Sequence, residues 1–164
     1  MQHRCSFSRV CGTASPSSER EVQVLARIHR ATGLQHVNTS HMAGVVTTDD
    51  GTQVLGVLLP WIPGAMLLAA EVAVARVEMH VKWREEVRGI ISALHKADIV
   101  WGDVNPHNIV IDDRNTSWVM DFGGECNVEF VDEEKPESDW QGWQRVFDVW
   151  LPAMGSAATV PSER

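Results

Sequence analysis

The stretch from Trp101 to Gly124, WGDVNPHNIVIDDRNTSWVMDFGG, constrains this chain more than any other part of it. Two short apolar runs, Ile109 to Ile111 and Trp118 to Met120, flank a turn at Asp113 to Asn115. Runs of Ile, Val and Trp joined by Asp and Asn turn residues pair as a hairpin. A hairpin brings its two outer ends together, so Asn108 and Asp121 are expected at one end of the strand pair. Asp103 stands before Asn108 across a loop that contains Asn105-Pro106, and Gly123 and Gly124 follow Asp121. The glycines permit a bend that a β-carbon would resist.

Those residue types suit a particular chemistry. Phosphoryl transfer from ATP needs a carboxylate at the incoming hydroxyl and metal ions to neutralise the phosphate oxygens. Magnesium takes oxygen ligands, usually only one or two of them carboxylates, with phosphate and water completing the shell. A loop with an Asp and an Asn beside a strand end with a second Asp supplies that set compactly.

The rest of the sequence gives the frame. A short strand is expected within Arg4 to Val10, followed by the turn-rich CGTASPSS. Ser17 or Ser18 can cap a helix with acidic residues in its first turn and Val22, Leu25 and Ile28 at helical spacing, ending at Gly33. Val45 to Thr47 and Val54 to Leu59 read as a hairpin about Asp50-Gly51. Pro60 and Pro63, around Trp61-Ile62, suit neither a helix interior nor a central strand, and mark a hinge. Ala65 to Ala97 reads as helical, with Trp83, Val87, Ile90, Ile91 and Leu94 as one apolar stripe. The final expected helix carries Trp140, Trp143, Phe147 and Trp150 and stops at Pro152. This order predicts an α+β protein: a small antiparallel sheet with one helix over 1–62, a mainly helical half over 63–152, and a flexible tail over 153–164.

Composition excludes several classes. A net charge of −8 and a pI near 5.3 lack the basic stripe of a nucleic-acid binder and the cationic character of an anionic-membrane binder. No apolar run approaches the roughly 18 residues that span a bilayer. The N-terminal segment has no apolar stretch followed by a small-residue cleavage site. Cys5, Cys11 and Cys126 are an odd set at spacings that suit neither a disulfide framework nor zinc. Reduced thiols in a cytoplasmic or nuclear protein are the expectation.

DVNPHN (Asp, four residues, Asn) followed by DFG resembles the catalytic loop and metal-binding motif of the protein-kinase-like superfamily. WGD is similar to the His-Gly-Asp opening of small-molecule kinases of the aminoglycoside-phosphotransferase type. The acidic loop and DWQGWQRVFDVWL look most like compact kinase-like proteins of the fungal type. The resemblance spans about residues 5 to 151 and is specific from Leu94 to Asp139. It implies a two-lobe fold with a sheet-bearing N-lobe remnant and a shortened helical C-lobe, using ATP and Mg2+. Asp103 would be the catalytic base, and Asn108 and Asp121 the magnesium ligands. Asp139 would brace the catalytic loop, with Gly123 as structural support at the bend. Glu21 matches the helix Glu that normally pairs with a strand lysine near the ATP phosphates. Leu58 to Pro63, including Leu59 and Trp61, would hold adenine. The acceptor would be a hydroxyl of a protein or a small molecule.

Departures from the family pattern support a second reading. No Gly-rich loop precedes Arg4, and Ser8, with Arg9 beside it, stands at the expected position of the strand lysine. Asn105 stands where a catalytic-loop lysine often lies, and Trp101-Gly102 replaces His-Arg. A truncated or degenerate relative, a pseudokinase that binds nucleotide or acts as a scaffold, is therefore the alternative. Asp113 is read as a turn residue, His107 as loop scaffold, the acidic residues from Asp132 to Glu137 as a solvated loop, and the tryptophan stripe as core.

Overall fold

The computed structural model of the chain describes residues 5–9, 16–72, 75–124, 127–132 and 135–157. The architecture is α+β, with two three-stranded antiparallel sheets and helices packed around one core. In the first sheet, β1 (Cys5–Arg9) and β2 (Gly44–Thr47) flank β3 (Val54–Pro60). The β2–β3 turn closes on Asp50, whose Oδ1 accepts from Thr48 Oγ1 and from the backbone N–H and hydroxyl of Thr52. Those bonds, led by the one from Thr48, hold the Asp50 carboxyl at a pKa of about 2.

In the second sheet, β5 (Ile109–Ile111) lies between β4 (Met66–Leu67) and β6 (Ser117–Val119). The expected hairpin forms with Ile109 opposite Val119. Asp112 makes its turn: Oδ1 accepts the N–H groups of Arg114 and Thr116, and Oδ2 accepts the indole N–H of Trp118. Residues 38–40 run along the free edge of β6. Val119 N–H donates to Asn38 O, Ser40 N–H donates to Val119 O, and Thr39 bridges Val119 in parallel sense. The chain thus passes between the sheets at 40–44 and again at 60–66.

Several boundaries differ from expectation. Helix α1 is Pro16–Arg30, so Ser17 and Ser18 lie within its first turn; Pro16 is preorganised for that opening position. Gly33 does not end α1 but sits in a separate 3-10 turn, Thr32–Leu34. The long helix expected over 65–97 is divided. Met66 and Leu67 pair instead with Ile111 and Val110, because the Pro63-Gly64 turn delivers them to the edge of β5. A single helical turn, α2 (Leu68–Glu71), precedes the long α3 (Val77–Lys96). The predicted apolar stripe of α3 is its buried face.

Pro152 does not stop the last helix. Helix α4 (Pro136–Gln144) widens into a π-helical segment, Arg145–Trp150, and continues as α5 (Leu151–Ala157). Leu151 N–H reaches back to Val146 O, and this wider turn carries the helix past a residue without a donor. The tail expected from 153 is helical to Ala157, and 158–164 lie outside the described residues. Asp132, expected as a solvated acid, accepts from Gln141 and forms a forked pair with Arg145.

Val24, Leu25 and Ile28 of α1, the α3 stripe, Trp101, Phe122, Trp143 and Phe147 share one core. The long apolar faces of α1 and α3 therefore bury the two segments that carry Asp103 and Asp121. Among the described residues no helix is long and apolar enough to cross a membrane.

Candidate functional site

Asn108 and Asp121 meet as the hairpin requires. Asn108 immediately precedes β5, and the N–H of Met120, one residue past β6, donates to Asn108 O at 2.9 Å. Asp121 is the next residue and adopts a left-handed backbone, φ 59°. Its Oδ1 accepts the N–H of Gly123, so the side chain closes its own turn.

Asp103 joins them through Asn108. The Asn108 amide nitrogen donates to Asp103 Oδ2 at 2.6 Å and to Asp103 O at 3.1 Å. With the amide nitrogen turned to Asp103, the Asn108 side-chain oxygen points away from that carboxylate. Asp103 Oδ1 accepts the N–H of Asn127 at 2.8 Å. Asn105 is buried within the loop: its amide nitrogen donates to Asp103 O and its amide oxygen accepts the N–H of His107. His107 is exposed on that turn.

Asp139 is fully buried and braces the loop from behind. Its Oδ2 accepts Trp101 N–H at 2.9 Å and lies 2.8 Å from His95 Nε2, while Oδ1 accepts Gly102 N–H at 2.8 Å. Gly102 has φ 88°, a conformation that favours glycine and turns both amides onto one carboxylate.

Two residues outside the sequence-derived set complete the frame. The buried Trp101 indole N–H donates to the carbonyls of Met120 (2.9 Å) and Asp121 (3.0 Å), tying the loop to the strand end. Arg20 of α1 donates to Phe122 O, Trp101 O and Val100 O. Both act on main-chain carbonyls, which have no side-chain identity to betray them; adjacency of Arg20 to Glu21 was the one available signal. Glu21, half-buried, has its carboxyl pushed above its ordinary value, first by burial and then by the negative charge of Asp121.

A cavity of about 290 Å³ opens beside this end of the hairpin. Leu59 and Trp61 line it, as do Ser40, Val110, Trp118 and Met120, whose neighbour is Asp121. Its walls are mainly apolar, as those of small-molecule pockets generally are. Glu21 stands outside that lining. The side chains of Ser8 and Arg9, at the expected strand-lysine position, lie outside the described residues.

The donor set fits magnesium. Asn108 and Asp121 offer one amide oxygen and one carboxylate, and Glu21 lies close enough to Asp121 to feel its negative charge. Among the described residues no group of three or more His, Cys, Asp or Glu forms an all-protein metal cage. Magnesium bound with phosphate and water does not need one. No protein-family model matches the chain, and no curated protein matches it in sequence.

Proposed function

We propose that this chain is an ATP- and magnesium-dependent phosphotransferase with a kinase-like two-lobe fold, acting on a hydroxyl of a protein or a small molecule. The observation that carries the reading is the linkage of Asp103 to Asn108 at 2.6 Å, with Asn108 set beside Asp121 by the β5–β6 hairpin. Asp103 would receive the acceptor hydroxyl's proton and orient its oxygen. Asn108 and Asp121 would hold the metal, which would supply positive charge to neutralise the phosphate oxygens. Leu59 and Trp61 would seat the adenine, with Met120 leading from that cavity to Asp121. Asp139 and Trp101 would keep the loop and strand end in register while charge moves.

The test is magnesium-dependent ATP turnover by the purified chain, beside Asp103→Asn. Turnover that needs magnesium and falls at least a hundredfold or so in the variant supports the reading. Turnover equal in both proteins, or absent from the wild type, overturns it.

A second reading, nucleotide binding without transfer, is favoured by one observation: β1, the strand that leads into α1, has the sequence CSFSR and contains no lysine. A thermal shift on adding ATP and magnesium that disappears in Asp121→Ala, with no turnover, would establish that reading instead.

A further inference from the structure

Helix α1 is fastened to the site by arginine. Arg20 Nη1 donates to Phe122 O, while Nη2 donates to Trp101 O at 3.3 Å and Val100 O at 3.4 Å. These carbonyls belong to the two segments that build the site: Val100 and Trp101 lead into Asp103, and Phe122 follows Asp121. A planar guanidinium with five donors can serve carbonyls converging from two segments, whereas an ammonium is a point charge on a flexible stem.

A second arginine repeats the arrangement further along the helix. Arg27, at i+7 and so on the same side of α1, donates through Nη2 to Asp98 O at 2.7 Å. Val24, Leu25 and Ile28 bury the adjoining face in the core. Helix α1 therefore has a fixed rotation and depth, and Glu21, next to Arg20, is carried to the edge of the Asp121 turn.

We propose that Arg20 is a positioning residue, clamping helix α1 and Glu21 to the backbone of the Asp103 loop and of the Asp121 turn. Its kinetic consequence rests on the phosphotransferase reading; the clamp itself belongs to the fold. Losing the fork frees Phe122 O and lets the turn that presents Asp121 drift relative to Asp103. Reactions that depend on positioning are slowed by such drift more than nucleotide binding is weakened.

The experiment compares amide hydrogen exchange in the full chain for wild type, Arg20→Gln, Arg20→Lys and Arg27→Gln. Arg20→Gln is expected to exchange roughly tenfold faster at 100–103 and 121–124, with α3 unchanged, while Arg27→Gln loosens only the segment around Asp98. In magnesium-ATP turnover, Arg20→Gln is expected to lose roughly ten- to a hundredfold in kcat, with KM for ATP held within about twofold. Arg20→Lys, which keeps the charge without the fork, is expected to fall between the two. Wild-type exchange at 121–124 in Arg20→Gln overturns the clamp, as does a loss confined to KM. If Arg20→Gln does not fold, Arg20→Lys decides: faster exchange at 121–124 supports the fork, and wild-type rates there overturn it. If the wild type shows no turnover, the phosphotransferase reading falls, and exchange alone judges the clamp.

Discussion

Asp139 Oδ1 accepts the backbone N–H of Gly102 at 2.8 Å, placing a fully buried carboxylate directly behind the loop that carries Asp103. The same side chain takes the N–H of Trp101 on its other oxygen. Asp139→Ala would leave two buried amides without an acceptor. A loss of about 3 kcal/mol in urea unfolding is expected, since each such orphan costs about 1–3 kcal/mol. Asp139→Asn should lose less, because it keeps one acceptor oxygen. Equal stability of Asp139→Ala and wild type would mean that the loop finds other acceptors.

Two helical glycines should respond to alanine in opposite directions. A β-carbon on Gly142 would meet Val104 Cβ at 2.7 Å and Val131 Cγ2 at 2.9 Å, both in packed core. Gly142→Ala should therefore destabilise by about 1–3 kcal/mol, and it presses on the residue next to Asp103. A β-carbon on Gly89, in the middle of α3, meets nothing within 4 Å. Gly89→Ala should stabilise by about 0.5–1 kcal/mol. Thermal unfolding of the pair checks both signs.

Asp112 should make the hairpin sensitive to acid. Burial works against its charged form, but the N–H of Thr116, the indole of Trp118 and the N–H of Arg114 outweigh this and lower its pKa. Because the folded value lies below the unfolded one, its stabilisation is complete above the unfolded carboxylate pKa, about 4. That stabilisation is lost as pH falls through the folded value. Tm measured from pH 6 to pH 2.5 should fall less steeply in Asp112→Asn than in wild type; parallel curves would remove Asp112 from the acid response.

Trp61 separates ligand binding from stability. It lines the cavity yet is 53% exposed, so Trp61→Ala should change unfolding free energy by no more than about 0.5 kcal/mol. Stacking of a base on an aromatic ring contributes about 1–3 kcal/mol, so under the proposed function ATP affinity should fall roughly tenfold. Calorimetric titration that finds unchanged affinity would remove Trp61 from the proposed adenine site.

The sequence made the hairpin legible because a strand period, a turn of Asp and Asn, and polar residues at both ends all agree from Asn108 to Asp121. It also made the α3 stripe legible, because Trp83, Val87, Ile90, Ile91 and Leu94 keep helical spacing. Met66 and Leu67 misled because apolar residues fit a helix or a sheet edge equally well, and only the tertiary position of β5 decides. Pro152 misled because a π-helical turn, which has no sequence signature, carries the helix through it. The contacts of Trp101 and Arg20 were hidden for another reason: a carbonyl oxygen is the same in every residue. Such anchors emerge only when the backbone is in place.

The bridge between Thr39 and Val119 has a mechanical consequence. Because residues 38–40 hold to β6 before the chain crosses to β2, the sheets are joined by two neighbouring straps, at 40–44 and 60–66. Two straps define a pivot line, and they resist twist about any other axis. Thr39 and Ser40 from one strap and Leu59 to Ile62 from the other all line the same cavity. The cavity therefore lies where the chain crosses between the sheets, and any twist of one sheet against the other displaces its walls least.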